Sequence, residues 1–528
     1  MSGGGYAITN NEGRLDQLIL GNDVLKQRIA YVRSYRAELI RQGKLRPEEA
    51  NPSLGDIEQT HIIFVHGNFK SYASTNFEYY RANPQGGSSS LKTNATTPVD
   101  FQIPQYGDFI GDVVAHVVLN FPTYTETDAV TSGTPDWLIR ACDYPGLRLL
   151  QNVSLSVNSN DLDTYDSEIS VFTNQFMVPP HKRDAFDRCV GQEAKHLVPQ
   201  TSWGMVSMNS ITDTTATVLP RMWGTFTNGA QTPRNALVAA SSSIEMFIPL
   251  NLFHSDIRLA LPAVCLPSNQ RYFRLVLAST QQMFGFAPSA ATMATTNHPA
   301  ANMQGAVIST LELFINNIFV HDEVHEIFID RVGFNLIRIH KAQDFNLSVA
   351  SDQPQLSQFK FPTETIFIGV RPVTNTGSAA ANTEDVFLTR WCKYSGQTDS
   401  AVVANASSAS LIFRVPSYTR TVDTIGLISQ GVDLYKDFPT GLFDSYIPFN
   451  YGGVNICAPK AGDGALMATF AFYPGTYQPS GYINISRSQQ FYWKYTSTYI
   501  SSGSASVRSV ALNFLVITNG NAYLRYLT

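Results

Sequence analysis

The chain has 528 residues, with 37 Lys and Arg against 42 Asp and Glu, a net charge of −5, and 15% charged against 44% hydrophobic residues. That length exceeds what one hydrophobic core usually serves, so two domains are expected, and so apolar a composition excludes a globally disordered chain. The negative balance excludes wholesale coating of nucleic acid, and the low charged fraction fits a surface covered by neighbouring subunits or one rich in Ser, Thr, Asn and Gln, as this sequence is.

Residues 14–46 differ from everything after them. GNDVLKQRIAYVRSYRAELIRQGKLR predicts a helix capped by Asn22 or Asp23, with Leu25, Ile29, Val32, Leu39 and Ile40 on one face and Gly43 at its end. Its basic residues, Arg28, Arg33, Arg36 and Arg41 among them, face a single acid, Glu38. The segment is either a solvated surface helix or an arm docked on an acidic or lipid-facing layer.

From residue 58 the pattern turns to strands. Short runs rich in Val, Ile, Phe and Leu, such as IEQTHIIFVHGNF, DVVAHVVLNF, RYFRLVLAS, ETIFIGVRPV and VRSVALNFLVIT, are broken by Gly, Pro, Asn and Ser. Helical patterns between them are few; TPRNALVAASSS and the 420s are expected to hold short ones. Strands without regular intervening helices predict antiparallel sandwiches, and the length suits two. Polar, Gly- and Pro-rich stretches near 80–100, 121–135, 205–235, 285–305 and 372–386 read as loops. The expected division is an arm over 1–58, a first sandwich over 59–320 and a second over 321–528.

Five scattered cysteines, Cys142, Cys189, Cys265, Cys392 and Cys457, form no CxxC and point to free thiols rather than a disulfide framework or zinc site. The opening residues lack the basic-then-apolar layout of a secretory signal, and no run approaches the length of a membrane-spanning helix.

Candidate chemistry is thin. HDEVHE at 321–326 sets His321 and His325 four apart, but a zinc-protease helix needs Glu directly after the first His, where Asp322 stands. The run continues as an alternating strand, on which those histidines would lie about 13 Å apart, too far for one metal. HGNF at 66–69 has no G-x-S-x-G elbow beside it. APKAGDGALM lacks the helix and Lys-Ser/Thr of a phosphate loop. Asp161–Asp163 and Asp184–Asp187 read as ordinary loop or turn acids. A carbohydrate-binding sandwich or a glycoside hydrolase stays as the alternative, since a carboxylate pair across a cleft is not visible in a sequence. IPQYGDFIGDVV reads as a structural corner, with Gly107 in a turn and Asp108 or Asp112 accepting backbone N–H bonds. No catalytic, cofactor-binding or metal-binding residue is assigned, and no cofactor is expected.

YQPSGYINISRSQQFYWKY, at 477–495, is the most distinctive stretch. Pro479 and Gly481 predict a turn that starts a strand, held by side-chain hydrogen bonds from Gln478 or Asn484. Ile483 and Ile485 alternate with Asn484 and Ser486 as on a strand with one buried face, and Phe491, Trp493 and Tyr495 continue the alternation. Arg487 is placed to bridge to a carboxylate or carbonyl at a seam. No base stands near the Ser-Arg pair, so its polar residues read as fixing a turn.

Several separated segments carry a family resemblance in order. MSGGGYAITNNEGRLDQLILGNDVLKQRI, IEQTHIIFVHGNFKSYASTNFEYYR, FQIPQYGDFIGDVV, EMFIPLNLF, LALPAVCLP, HEIFIDRVGFNLIRIH and QPSGYINISR resemble the major capsid proteins of the nucleocytoplasmic large DNA viruses, on the branch of African swine fever virus, faustovirus and related viruses of amoebae. Gln478, Pro479, Ser480, Gly481, Asn484, Ser486 and Arg487 match the Q-P-S-G…N-x-S-R hallmark of double jelly-roll capsid proteins.

The resemblance implies an all-β double jelly roll, two eight-stranded antiparallel sandwiches with an N-terminal helical arm. It implies pseudo-hexagonal homotrimeric capsomers tiling an icosahedral shell over an inner membrane. The implied partners are the chain itself, neighbouring capsomers, minor capsid and penton proteins, a folding chaperone, and the inner membrane through the arm residues Arg28, Arg33, Arg36 and Arg41. No direct genome binding and no enzymatic activity are implied. The implied location is the virion capsid, after synthesis in a cytoplasmic viral factory. The tower loops are expected to be shorter than or different from those of the swine fever protein, so no surface contact is carried over.

Overall fold

Alternating burial shapes most of the chain's regular structure. The computed structural model describes residues 27, 30–47, 51, 75–86, 90–122, 137–192, 223–226, 243–266, 271–288, 305–321, 326, 333–376, 387–388, 390–403, 412–460, 462–488, 490–500, 502–518 and 520–526. Residues 1–74 and 75–528 form two separate compact units. The first contains a helix over 30–41 that ends as expected. Gly43 has a φ of 72°, its N–H donates to Ile40 O, and Lys44 N donates to Leu39 O, which together satisfy the last carbonyls.

The larger unit opens with β1 (Thr75–Ala82), β2 (Thr97–Gln102), β3 (Phe109–Asn120), β4 (Trp137–Ala141), β5 (Leu150–Val157) and β6 (Asn160–Asp166). It continues with β7 (Trp223–Phe226), β8 (Ser243–Pro249), β9 (Leu261–Pro262), β10 (Arg271–Leu277), β11 (Phe284–Pro288) and β12 (Ile308–Val320). Then follow β13 (Gly333–Leu347), β14 (Ser351–Asp352), β15 (Pro362–Pro372), β16 (Gly396–Val403), β17 (Ile412–Thr419) and β18 (Thr424–Ser429). The last are β19 (Val432–Pro439), β20 (Leu466–Thr469), β21 (Ile483–Asn484), β22 (Phe491–Thr496), β23 (Gly503–Thr518) and β24 (Asn521–Leu524).

Four antiparallel sheets carry the architecture. Their orders are β1-β12-β3-β8 with β9 on β3, β2-β10-β5-β6, β13-β23-β15-β20 with β21 on β15 and β24 on β23, and β14-β22-β18-β19. Small sheets β11-β4-β7 and β16-β17 stand apart. If the principal strands of each half are counted from 1 to 8, both halves read 1-8-3-6 in one sheet and 2-7-4-5 in the other. Among the described residues, strands up to β12 pair with one another, as do strands from β13 onward. No sequence repeat announces this repetition; it exists only in the pairing.

The inward residues are those that period two selects. Val113, Ala115, Val117 and Leu119 on β3, Phe273, Leu275 and Leu277 on β10, and Phe491, Trp493 and Tyr495 on β22 are all buried. Full burial of each large apolar side chain contributes roughly 1.5–3 kcal/mol. Polar groups tie sheet to sheet. In the first half, buried His254 shares a hydrogen bond between its Nδ1 and Gly111 O (2.6 Å) and packs 5.9 Å from the Phe273 ring. In the second, Tyr435 Oη donates to Thr469 O at 2.8 Å.

One expectation changes. The 420s are not helical: β18 and β19 form a hairpin whose central residues Gln430 and Gly431 have φ of 51° and 78°. Two consecutive positive φ values define the mirror-image turn that matches strand twist, and Gly431 takes one without strain. The β5–β6 hairpin closes the same way, through Asn158 and Ser159 (φ 51° and 65°). Short helices lie instead after the fifth strand of each half, at Ser167–Phe172 and Ile447–Tyr451. The TPRNALVAASSS, IEQTHIIFVHGNF and HGNF readings lie outside the described residues.

A Gly431→Val substitution should destabilise the larger unit by about 1–2 kcal/mol, the cost of forcing a side chain into the left-handed region. Chemical denaturation measures this; an unchanged midpoint would mean that the hairpin is not closed by this turn.

Candidate assembly determinants: an ionic seam, a polar turn and a basic helix

The two halves meet along a line of charged side chains. Strand β6, NDLDTYD, puts Leu162 and Tyr165 into the core and leaves acids to face β13 and β23. Buried Asp163 accepts from His340 N at 3.1 Å, and its other oxygen lies 3.0 Å from His340 Nδ1. Asp166 pairs with Arg508 Nε at 3.0 Å and with Nη2, while Arg508 Nη1 donates to Asp344 Oδ1 at 2.8 Å. The Arg508 side chain is 1% exposed. Asp166 also accepts from Ile169 N, capping the helix Ser167–Phe172. That helix carries Glu168 to Arg371 Nη2 (2.8 Å) and to the hydroxyl of Tyr394.

Burial opposes the charge on Arg508 and Arg371, but their carboxylate partners outweigh it and hold both pKa values above the usual value. At His340 burial likewise opposes charge, and the Asp163 carboxylate outweighs it, so the imidazolium persists to higher pH than usual. Burial and then Glu168 push the Tyr394 phenol well up, so it stays a donor.

A second set of contacts clamps the halves beside these pairs. Buried Arg148 donates to Phe387 O and stacks 4.2 Å over the Phe387 ring and 5.2 Å over Trp391. Trp391 Nε1 donates to Asp143 O (2.7 Å), and Gln175 Nε2 to Cys392 O (2.9 Å). The sequence reading missed this seam. It took Asp163 for a loop acid, whereas the structure places it on a strand, buried and paired. Its partners are 177 residues away, and those of Asp166 at Arg508 are 342 away, so no local pattern reports them.

The 477–487 motif is a turn, as expected, but its hydrogen bonds are distributed differently. Ser480 Oγ, rather than the Gln478 side chain, accepts from a backbone N–H, that of Tyr473, at 2.7 Å. Thr476 Oγ1 donates to Gln478 O (2.9 Å), and Thr476 O accepts from Arg338 Nη2, which also binds buried Glu364. A Cβ on Gly481 would sit 2.6 Å from Phe470 O, so only glycine lets the two backbone segments approach. Asn484 Oδ1 accepts from Ser486 N at 3.1 Å. That bond turns the expected strand at 483–487 into a two-residue pairing, Ile483–Asn484, followed by a 3-10 turn over Ile485–Arg487. The Arg487 side chain lies outside the described residues.

On the helix over 30–41, Arg33 and Arg41 are exposed and Arg36 is half-buried. Arg36 Nη1 donates to Asn51 O, and Arg41 lies 3.4 Å from Glu38. Tyr31 and Tyr35 are exposed and stack at 6.5 Å. Arg28 lies outside the described residues, as do Asp322 and His325. Among the described residues, no cluster of three or more His, Cys, Asp and Glu side chains could hold a metal.

The buried pairs lock strands together, and the polar motif is used largely within its own turn. One family model, the major capsid protein N-terminus, matches residues 69–321, and another, the large eukaryotic DNA virus major capsid protein, matches 317–522. The hexon protein p72 of African swine fever virus is 28% identical over 665 aligned positions covering 100% of both chains. The alignment is longer than this chain, so the relative carries insertions. The solved Faustovirus major capsid protein matches with a TM-score of 0.68 at 27% identity, over 96% of this chain and 100% of that one. The PBCV-1 capsid shares the fold, with a TM-score of 0.59 at 16% identity over 88% of this chain and 100% of that one. The chain belongs to the major capsid proteins of the large eukaryotic DNA viruses, as a structural component of the virion shell.

Two predictions concern the seam. Arg508→Ala should cost about 3–5 kcal/mol in denaturant unfolding, because it strands a partly buried carboxylate. Asp344→Asn should cost well under about 1 kcal/mol, since that carboxylate is mostly exposed; equal losses would refute the ranking. The raised His340 pKa adds stability that is fully present below its ordinary value of 6.5 and is lost as pH rises through the folded value. His340→Gln should therefore flatten the pH dependence above 6.5, and a profile identical to wild type would remove His340 from it.

Proposed function

We propose that this capsid component folds as two eight-stranded jelly rolls, the first ending near residue 320 and the second beginning near 321, behind an arm over 1–58. Three chains assemble into a capsomer. The observation that carries this reading is the strand order 1-8-3-6 and 2-7-4-5, which occurs twice in one chain across a buried ionic seam. Two similar bodies per chain give a closed trimer six similar corners, and a six-cornered block tiles a shell.

The remaining partners proposed are those the resemblance implies. The exposed Arg33 and Arg41 suit an anionic inner layer, either membrane or acidic minor capsid protein, with each contact modest and salt-sensitive. Penton proteins would close the vertices. Sheets built from long-range pairings fold slowly and expose edges, which favours a chaperone in the cytoplasmic factory where the chain is made. Direct genome binding has no support in the net charge of −5.

The purified full chain should have a solution mass of three times 58.3 kDa, and electron micrographs should show six-cornered particles. A stable monomer over micromolar concentrations would sink the proposal.

A further inference from the structure

The ionic seam borders a cleft of about 410 Å3, a volume within the roughly 300–1,000 Å3 of small-molecule sites. Three paired strands make its floor. In the register of β13, β23 and β15, Ser504 lies between Asn346 and Arg371, and Ser506 lies opposite Asp344. Ser504, Ser506 and Arg508 share one face of β23, because residues two apart on a strand point the same way. Gln151 and Glu168 of the first half also line the cleft.

The charged groups there are already engaged with one another. Arg508 binds Asp166 and Asp344, and Arg371 binds Glu168 through Nη2. The neutral groups are not engaged. Ser506 is only 8% exposed, yet among the described residues neither its hydroxyl nor that of Ser504 has a hydrogen-bond partner, and both residues line the cleft. The Asn346 side-chain amide is likewise unpartnered. Gln151 Nε2 donates to Arg148 O at 2.7 Å, which fixes the amide and leaves its oxygen unused. Arg371 Nε is buried without a partner. A nearly buried hydroxyl left unpaired is uncommon in a folded chain, because its desolvation goes uncompensated.

We propose that this cleft binds a neutral pyranose, as a free sugar or as the end unit of a glycan. The unused groups both donate and accept: each serine hydroxyl has one donor and two acceptor sites, and an asparagine amide carries both kinds. Neighbouring hydroxyls on a sugar ring offer the same mixture. An anion only accepts, and it would meet three carboxylates against two guanidiniums. A metal ion has no ligand set, since no cluster of three or more His, Cys, Asp and Glu side chains among the described residues could hold one. An apolar ligand would leave the serines unpaired at a cost. The ion pairs fix the side chains around the serines before a ligand arrives, so less order is lost on binding. The cleft lies within one chain, so the proposal is independent of the trimer reading.

The test uses the purified full chain and saturation-transfer NMR. The probes are glucose, galactose, mannose, fucose and N-acetylglucosamine at millimolar concentration, each also as its methyl pyranoside. At least one should show transfer. Ser506→Ala should weaken its binding about fivefold, the worth of one neutral hydrogen bond, and Ser506→Val, which places methyl groups in the cleft, should abolish it. The Ser506 hydroxyl bonds to nothing in the protein, so Ser506→Ala should keep the wild-type unfolding midpoint. Binding of a methyl pyranoside assigns the cleft to a glycan end, and binding of free sugars alone assigns it to a small metabolite; both support the proposal. No transfer from any probe overturns it, as does transfer unchanged in Ser506→Val. Inorganic phosphate or Ca2+ displacing the sugar at lower concentration than the sugar itself needs also overturns it, by assigning the cleft to an ion.

A second measurement needs no variant. Hydrogen exchange of the wild-type chain should slow in β23 around Ser504 and Ser506 when the bound sugar is added. Unchanged exchange there overturns the inference.

Discussion

Arg508 sits where the two halves can meet in only one way. Its guanidinium has lost almost all contact with water, a transfer that costs several kcal/mol unless every donor finds a good acceptor. Asp166, at the end of β6, and Asp344, on β13, supply those acceptors from opposite sides of the seam. Apolar side chains of equal volume could hold the halves as tightly, but would tolerate sliding. A planar fork with both prongs occupied has a single alignment. Asp166 also caps the helix that brings Glu168 to Arg371, so a shift at one pair displaces the other. The Arg148 stack on Phe387 and Trp391 then adds apolar contact around a geometry the charges have already set.

This fixed alignment matters more in a shell component than in a monomeric protein. In the lattice of capsomers proposed above, a small angular error inside one block would be repeated at every position and would accumulate with distance. The same strand order occurs on both sides of the seam, so the two halves share a similar strand framework, and the seam decides how the two are turned. Buried charge has a cost in stability, and rigidity is what that cost supports. Among the described seam pairs, His340 is the cation that loses its charge first as pH rises, because Arg508 and Arg371 are held above an already high ordinary value.

Much of this was legible residue by residue. Strands β3, β10 and β22 alternate cleanly, and Gly43 ends its helix as glycine at that position should. The corner at Gly107 and Asp108 also stands, with Asp108 Oδ2 accepting from Val320 N. What escaped has common causes. β6 reads as a loop because Asn and Asp dominate it; it is a strand because Asn158 and Ser159 close a tight hairpin onto β5 and because its acids have partners. The 420s look helical in isolation, and pairing with β22 overrides that tendency. The seam could not be read at all. Its pairs join residues hundreds of positions apart, and an acid paired across a fold looks, in one dimension, like an acid in water.

The 477–487 turn shows the same limit from the opposite direction. Its polar residues attract notice because Ser, Asn and Arg are the residues of chemistry. Here Ser480 and Asn484 bond to backbone within a few residues of themselves, and Gly481 exists to let two backbones touch. Those bonds put the Ser480 and Asn484 side-chain oxygens to work within the turn. The side chains still open to a partner are the unremarked aromatics around the motif: Phe472 and Tyr473 before it, Tyr477 at its edge and Tyr482 inside it, all exposed. A motif of this kind is a frame. Its polar letters and Gly481 fix the path of the backbone, and the aromatics between them are displayed on that path.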